Sequence, residues 1–274
     1  MQADHPPAAP GDTPSAAAAP PEPAPAAPGR DPRLFAPPLG GESYLQVLTR
    51  LHSVLQPRTY LEIGVRTGAS LALAACPSIG VDPAMEPSAA ALGRKPALFL
   101  FQMPSDRFFQ QHDPCALLGG PLDMAFLDGL HEFETLLRDF LNTERHCRPN
   151  SVIVLHDCLP TDAGMTRRAQ SGPRGPTRDP NVWTGDVWKL VPILRRHRPE
   201  LRLHLLNARP TGLVLITGLD PGSTVLSRRY HEIVEEFAPL DIAEIGVTAH
   251  LASLPVRDTR AYRAPQDLRR HFWL

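Results

Sequence analysis

The sequence predicts an α/β fold: a doubly wound, mainly parallel seven-stranded sheet with an antiparallel edge strand and helices on both faces. Three observations point to it. From Glu42 onward, short apolar runs alternate with helix-patterned stretches, as when strands are joined by helical crossovers. The runs read as buried strands, which a sheet covered on both faces requires. A glycine turn, Gly64 to Gly68, stands directly after the first strand, in TYLEIGVRTGAS.

The elements follow in order. Tyr44, Leu45, Val47, Leu48, Leu51 and Leu55 fit one face of a helix. The strand at 59–62 ends in Glu62, and a helix is expected after Gly68. A second strand, SIGVD, ends in Asp82, and the alanine-rich stretch beyond it can be helical through Leu92. ALFLFQ (97–102) is a third strand. SDRFF starts the next helix with Ser105 as its cap. LDMAFLD (122–128) is a fourth strand. Phe133, Leu136, Leu137, Phe140 and Leu141 then mark a half-buried helix. SVIVL (151–155) runs into His156 and Asp157.

Residues 159–182 are rich in Gly, Pro and Arg and lack apolar periodicity, the pattern of a long functional loop. They form a candidate lid, in which Arg167, Arg168, Arg174 and Arg178 either draw in an anionic acceptor or keep the loop solvated. A helix at 187–196 follows, with Trp183 and Trp188 as its core anchors and Asp186 facing the pocket. Strands at 201–206 and 213–217, joined by NARPTG, are close enough to pair as a hairpin. A last helix is expected at 225–237. Residues 241–274 form an extension with no assignable pattern.

Composition narrows the function. Residues 1–30 hold ten alanines and nine prolines. Such a segment buries too little apolar surface to offset the entropy of ordering it, so residues 1–38 read as a disordered tail before a domain at 39–240. A formal charge of −1 gives a nucleic-acid backbone nothing to bind. No apolar run has membrane-spanning length, and MQADHPPAAPGD lacks the features of a secretory signal. Cys76, Cys115, Cys147 and Cys158 show no metal-ligand spacing and read as reduced thiols of a cytoplasmic protein.

In open α/β sheets, ligands bind beyond the carboxyl ends of the strands. Those ends carry Glu62, Asp82, Asp128 with His131, and His156 with Asp157. A glycine turn between acids at two strand ends suits an adenosine-containing cofactor. The glycines allow close backbone approach, and an acid accepts from ribose hydroxyls. The turn is E-I-G-V-R-T-G, not G-x-G-x-x-G. An acid before the first glycine favours a cationic ligand over a diphosphate.

This turn resembles motif I of the class I S-adenosylmethionine-dependent methyltransferases, a Rossmann-like family. FLDGLHEFETLLRDF, RPNSVIVLHDC, WTGDVWKL and RPTGLVLI resemble a bacterial subgroup pairing D-G-x-H with H-D, near macrocin O-methyltransferase and cephalosporin hydroxylase-like proteins. The resemblance covers about Glu42 to Phe237. It implies that Glu62, Gly64 and Gly68 surround the methionine part of S-adenosylmethionine. It also implies that Asp82 binds the ribose, and that Ser105 and Asp106 lie near the adenine, with Asp128 beside the cofactor. It implies magnesium ligands at Asp128 and Asp157, although Cys158 after the second acid is a poor partner for a hard cation.

The function so implied is O-methylation of a small-molecule or glycosyl hydroxyl. His131 is the first candidate for the base and His156 the second, with Asp157 or Asp128 orienting the imidazole. Two other readings stand beside it: a metal-dependent oxygenase or hydrolase using the His/Asp cluster, and a non-catalytic scaffold. A homo-oligomer is left open.

Overall fold

The computed structural model describes residues 31–172 and 175–274. The tail at 1–30 and Arg174 lie outside them. The strands are β1 (Tyr60–Ile63), β2 (Ser78–Val81), β3 (Leu98–Phe101), β4 (Leu122–Leu127), β5 (Cys147–His156), β6 (Arg202–Leu206), β7 (Leu213–Thr217) and β8 (Val256–Arg257). They form one sheet in the order β3-β2-β1-β4-β5-β7-β6-β8. Strands β1 to β5 are mutually parallel, and β7 runs antiparallel to both β5 and β6. The expected parallel sheet with an antiparallel member is therefore present. It has eight strands instead of seven, because β8 adds parallel to β6.

The helices are α1 (Tyr44–Leu55), α2 (Ser105–Gln111), α3 (Pro114–Leu118), α4 (Phe133–Glu144), α5 (Leu190–His197), α6 (Val225–Arg228), α7 (Tyr230–Phe237), α8 (Ile242–Ile245), α9 (Val247–Ala252) and α10 (Pro265–Arg269). None is long and apolar enough to cross a membrane. Strand side chains alternate between the two faces. Leu61, Ile63, Leu127, Ile153 and Leu155 join the core shared with α4, α5 and α7. Tyr60, Met124, Phe126, Val152 and Val154 join the core shared with α1 and α10. Burial on both faces is why these strands read as continuous apolar runs.

Helix α1 starts at a capping box. The Ser43 hydroxyl accepts from the Gln46 amide at 3.3 Å, and the Gln46 side chain accepts from the Ser43 amide at 3.0 Å. Ser105 does not cap α2; Pro104 holds that position and Ser105 is the first helical residue. Two expected helices are single 3₁₀ turns, Leu71–Leu73 and Ala89–Ala91. Only residues 64–77 join β1 to β2, and Pro77 stops any helix there. Pro83, Pro87 and Pro96 interrupt the next crossover.

Both ends of the domain extend beyond their expected bounds. Residues 31–38, expected in the tail, pack on the loop after β5. The Ala36 amide donates to the Thr161 carbonyl at 2.9 Å, and Ala36 is buried with Trp188, Ile242 and Val247. At the other end, Tyr262, Leu268 and Phe272 share a core with Val47, Leu48 and Leu51 of α1. Residues 262–272 thus help cover the α1 face of the sheet, while Leu254 joins the core on the other face. The elements of 241–274 are too short to show a period in the sequence.

Candidate active site

The chain order reverses between β1 and β4: β2 and β3 extend one way, β5 onward the other. Such a switch point opens a crevice at the carboxyl ends of the strands. Gly64 lines it with φ +90°. A Cβ there would stand 1.9 Å from the Asp128 carbonyl oxygen, so glycine is what lets the ends of β1 and β4 approach. Gly68, with φ +77°, abuts Ala91, whose Cβ would be 2.6 Å from an added Cβ. The glycine turn therefore packs against the segment after β2.

Glu62 points to the α1 side of the sheet and is fully buried. Its carboxyl accepts from the Tyr60 hydroxyl at 2.7 Å and the Ser70 hydroxyl at 2.8 Å. Burial, outweighing those two hydrogen bonds and reinforced by the Asp128 charge, pushes its pKa up to about 8. Asp82 is partly exposed at the end of β2. Its oxygens accept from the Arg66 amide at 2.8 Å and the Ala84 amide at 2.7 Å, holding Arg66 at φ +46°.

Asp128, His131, His156 and Asp157 meet in one cluster. His131 Nε2 lies 3.3 Å from Asp128 Oδ1 and 3.3 Å from Asp157 Oδ2. His156 Nδ1 lies 3.2 Å from Asp128 Oδ1 and 3.3 Å from Asp157 Oδ1. Burial opposes charge on both rings. The Asp157 and Asp128 carboxylates nonetheless raise His156 to about 9, and the Asp128 hydrogen bond with both carboxylate charges raises His131. Burial also works against the Asp128 charge, but the two imidazoles hold that carboxyl below its usual range. Burial raises Asp157. Asp157 sits at φ +61°, a strained conformation for a non-glycine residue, and accepts from the Thr211 hydroxyl.

Several residues that shape this cluster have no place at the site in the sequence reading. The Trp183 carbonyl accepts from His131 Nδ1 at 2.8 Å, and its indole lies tilted against the imidazole with centroids 4.7 Å apart. Trp183 is thus no core anchor of the next helix, whereas Trp188 is buried as expected. Gly185, at φ +53°, wraps the His131 backbone; a Cβ there would meet the His131 carbonyl oxygen at 1.8 Å. Tyr44, counted above as part of an apolar face, packs tilted against His156 with centroids 4.3 Å apart. Burial and the Asp128, Asp157 and Glu62 charges push its phenol up to about 12. The WTGD motif was the only sequence signal for Trp183 and Gly185.

Asp186 turns away from the cluster. It accepts from the Phe133 amide at 3.0 Å, Arg168 at 2.6 Å and Lys189 at 3.0 Å, fastening the start of α4 to the following loop. Asp106 ties α2 to α4 by pairing with Arg138 at 2.9 Å, and Ser105 is buried at the start of α2. Within the expected lid, Arg168 also pairs with Glu134 at 2.9 Å, and Arg178 donates to the Thr161 carbonyl at 3.0 Å. Both arginines are engaged with the protein.

The donor set Asp128, His131 and Asp157, with ligand atoms all within 4.8 Å of one another, fits a divalent cation. The imidazole nitrogen suits a borderline transition metal better than magnesium, which prefers oxygen. Cys158 is not among these donors, and its thiol donates to the His156 carbonyl at 3.3 Å.

No curated protein matches the sequence. Among solved structures, the chain is similar to cofactor-bound Rv0187 from MTB, with 18% identity, 66% of this chain and 82% of that one covered, and a TM-score of 0.46. It is similar to an O-methyltransferase from Bacillus cereus in complex with SAH, with 15% identity, 64% and 80% covered, and a TM-score of 0.43. It is also similar to the O-methyltransferase TomG from Streptomyces achromogenes in complex with SAM, with 18% identity, 63% and 78% covered, and a TM-score of 0.45. Residues 61–158, the stretch from β1 to Cys158 that carries Glu62, Asp82, Asp128, His131, His156 and Asp157, match the family model of a methyltransferase domain.

Proposed function

We propose that the chain is an S-adenosylmethionine-dependent O-methyltransferase acting on a small-molecule or glycosyl hydroxyl. The observation that carries this reading is the pairing of two half-sites across the switch point. One is a glycine turn with the buried acid Glu62. The other is an imidazole, His131, whose Nδ1 is occupied by a carbonyl and whose Nε2 faces the crevice carboxylates. The cofactor fits the first half-site. A buried carboxyl with its pKa raised to about 8 has only the longer-range pull of Lys95 against its burial, and a ligand ammonium or sulfonium would supply a closer counter-charge.

S-adenosylmethionine, when bound, supplies a methyl group on a sulfonium. The chain's residues do the rest. Glu62 and the 64–68 turn seat the methionine portion, and Asp82 accepts from ribose hydroxyls with the lone pairs its two amide contacts leave free. The acceptor hydroxyl lies toward the Asp/His cluster. His131 Nε2 takes its proton there, with His156 second in line, and Asp128 and Asp157 stabilise the imidazolium that results. The Trp183 carbonyl keeps the other ring nitrogen protonated, so Nε2 is the ring atom that exchanges a proton, and it must first release the one it shares with Asp128. Tyr44 and Trp183 shield the two rings from water. A divalent cation held by Asp128, His131 and Asp157 would instead lower the pKa of the acceptor hydroxyl.

Calorimetric titration with S-adenosylmethionine, and with NAD as control, tests the reading. Micromolar binding of the first and none of the second is expected. No binding of S-adenosylmethionine, with or without a divalent cation, would sink it. Metal analysis of the purified protein separates it from the oxygenase or hydrolase reading, which requires a redox-active or hydrolytic metal at the cluster.

A further inference from the structure

At the opposite end of β4, a second group of side chains converges. We propose that Asp113, Cys115 and His146 form a binding site for a zinc-class transition-metal ion, separate from the crevice. Cys115 Sγ lies 3.6 Å from His146 Nδ1, and Asp113 Oδ1 lies 3.5 Å from the same nitrogen. The three donor atoms all fall within 4.8 Å of one another. At metal–sulfur and metal–nitrogen lengths of about 2.3 Å and about 2.0 Å, tetrahedral ligands stand about 3.5 Å apart. The two spacings to His146 Nδ1 therefore already match what one ion would impose.

The donors come from two places in the chain. Asp113 caps α3, accepting from the Cys115 amide at 2.8 Å, which turns carboxylate and thiol to the same side. His146 lies between α4 and β5, where its carbonyl accepts from the Leu122 amide at 2.8 Å. The Phe109 ring lies parallel to the imidazole, with centroids 6.1 Å apart and planes 8° apart, and sets its orientation. Asp113 is exposed and Cys115 half-buried, so the ion has a path in and a fourth position for water.

A thiolate, an imidazole and a carboxylate are donors for zinc and its neighbours, not for magnesium or calcium. An imidazole ligates in its neutral form, with the metal taking the place of a ring proton. The Cys115 thiol gives up its proton to solvent as the metal–sulfur bond forms. The two negative donors then balance the dication. Such an ion would clamp the α2–α3 region to the start of β5. It lies the length of β4 from Asp128, about 20 Å at about 3.3 Å per residue, too far to take part in chemistry at the crevice.

Cobalt(II) is the probe, added to the chelator-stripped full chain and read by absorption. The expected result is a sulfur-to-cobalt charge-transfer band that saturates at one cobalt per chain. The band disappears in both Cys115→Ala and Cys115→Ser. His146→Ala weakens cobalt affinity at least about tenfold. Cys158→Ala and Asp157→Asn keep the band, because the crevice cluster offers no thiolate. Absence of the band in the unaltered chain, or its survival in the folded Cys115 variants, overturns the proposal.

Discussion

The backbone carbonyl of Trp183, not its side chain, accepts the Nδ1 proton of His131 at 2.8 Å. Orientation of the imidazole therefore depends on the backbone path of 183–186, and that path depends on Gly185. Gly185→Ala places a methyl group against the His131 carbonyl at a left-handed φ. A stability loss of about 2 kcal/mol or more is expected in urea unfolding. Trp183→Phe keeps the carbonyl and loses the indole donor to the Arg167 carbonyl, so it should cost about 1 kcal/mol and leave the cluster intact. Equal losses in the two variants would refute the backbone assignment.

Glu62 makes stability depend on pH. Its folded pKa of about 8 lies above the ordinary 4.5, so the unfolded chain releases this proton first as pH rises. The contribution of this group to stability therefore declines between about pH 4.5 and about pH 8. Glu62→Gln cannot ionise and keeps an acceptor for Tyr60 and Ser70. Its melting temperature should fall less than that of the unaltered chain between about pH 5 and about pH 9. Parallel pH profiles would show that Glu62 is ionised in the fold.

Arg198 is 1% exposed and makes two bonds, 2.8 and 2.9 Å, to Glu144 at the end of α4. Arg198→Met leaves the buried Glu144 carboxylate without its main partner and should cost about 3–5 kcal/mol. The double variant Arg198→Met, Glu144→Leu removes both charges and should recover most of that loss. A double variant as unstable as the single one would mean that packing, not the unpaired charge, sets the cost.

Asp82 combines a structural task with the proposed ribose contact. Asp82→Ala releases the Arg66 and Ala84 amides and removes the acceptor. Calorimetry should show S-adenosylmethionine affinity at least about tenfold weaker, the equivalent of about 1.4 kcal/mol. Unchanged affinity would exclude Asp82 as a cofactor contact.

The legible part of the fold is the part with strong local signals. Strands β1, β4 and β5 appear as short, mostly apolar runs, with Glu62 and Asp123 the polar members of β1 and β4, because both faces of the sheet are covered, and α4 shows a clear 3.6-residue period. The expected helix after Gly68 is absent because glycine, serine and alanine pattern alone does not reveal how short the crossover before Pro77 is. Segment 31–38 and the elements after Asp241 are ordered by contacts with distant residues, Thr161 and α1 among them, which no local window contains.

The site divides along the same line. Acids and histidines at strand ends are visible in sequence because topology carries every parallel strand's end to one edge, so Glu62, Asp82, Asp128, His131, His156 and Asp157 could be named from order and spacing. Their partners could not. Tyr44 reaches His156 only because α1 lies across that face, and Trp183 and Gly185 reach His131 from fifty residues away along the chain. Ionisation follows the same rule. Glu62 is an ordinary carboxylic acid in the sequence, and only burial among Tyr60, Ser70 and the sheet raises its pKa to about 8. Residue type and periodicity are local properties of the chain, whereas proximity and desolvation exist only once distant segments have packed together.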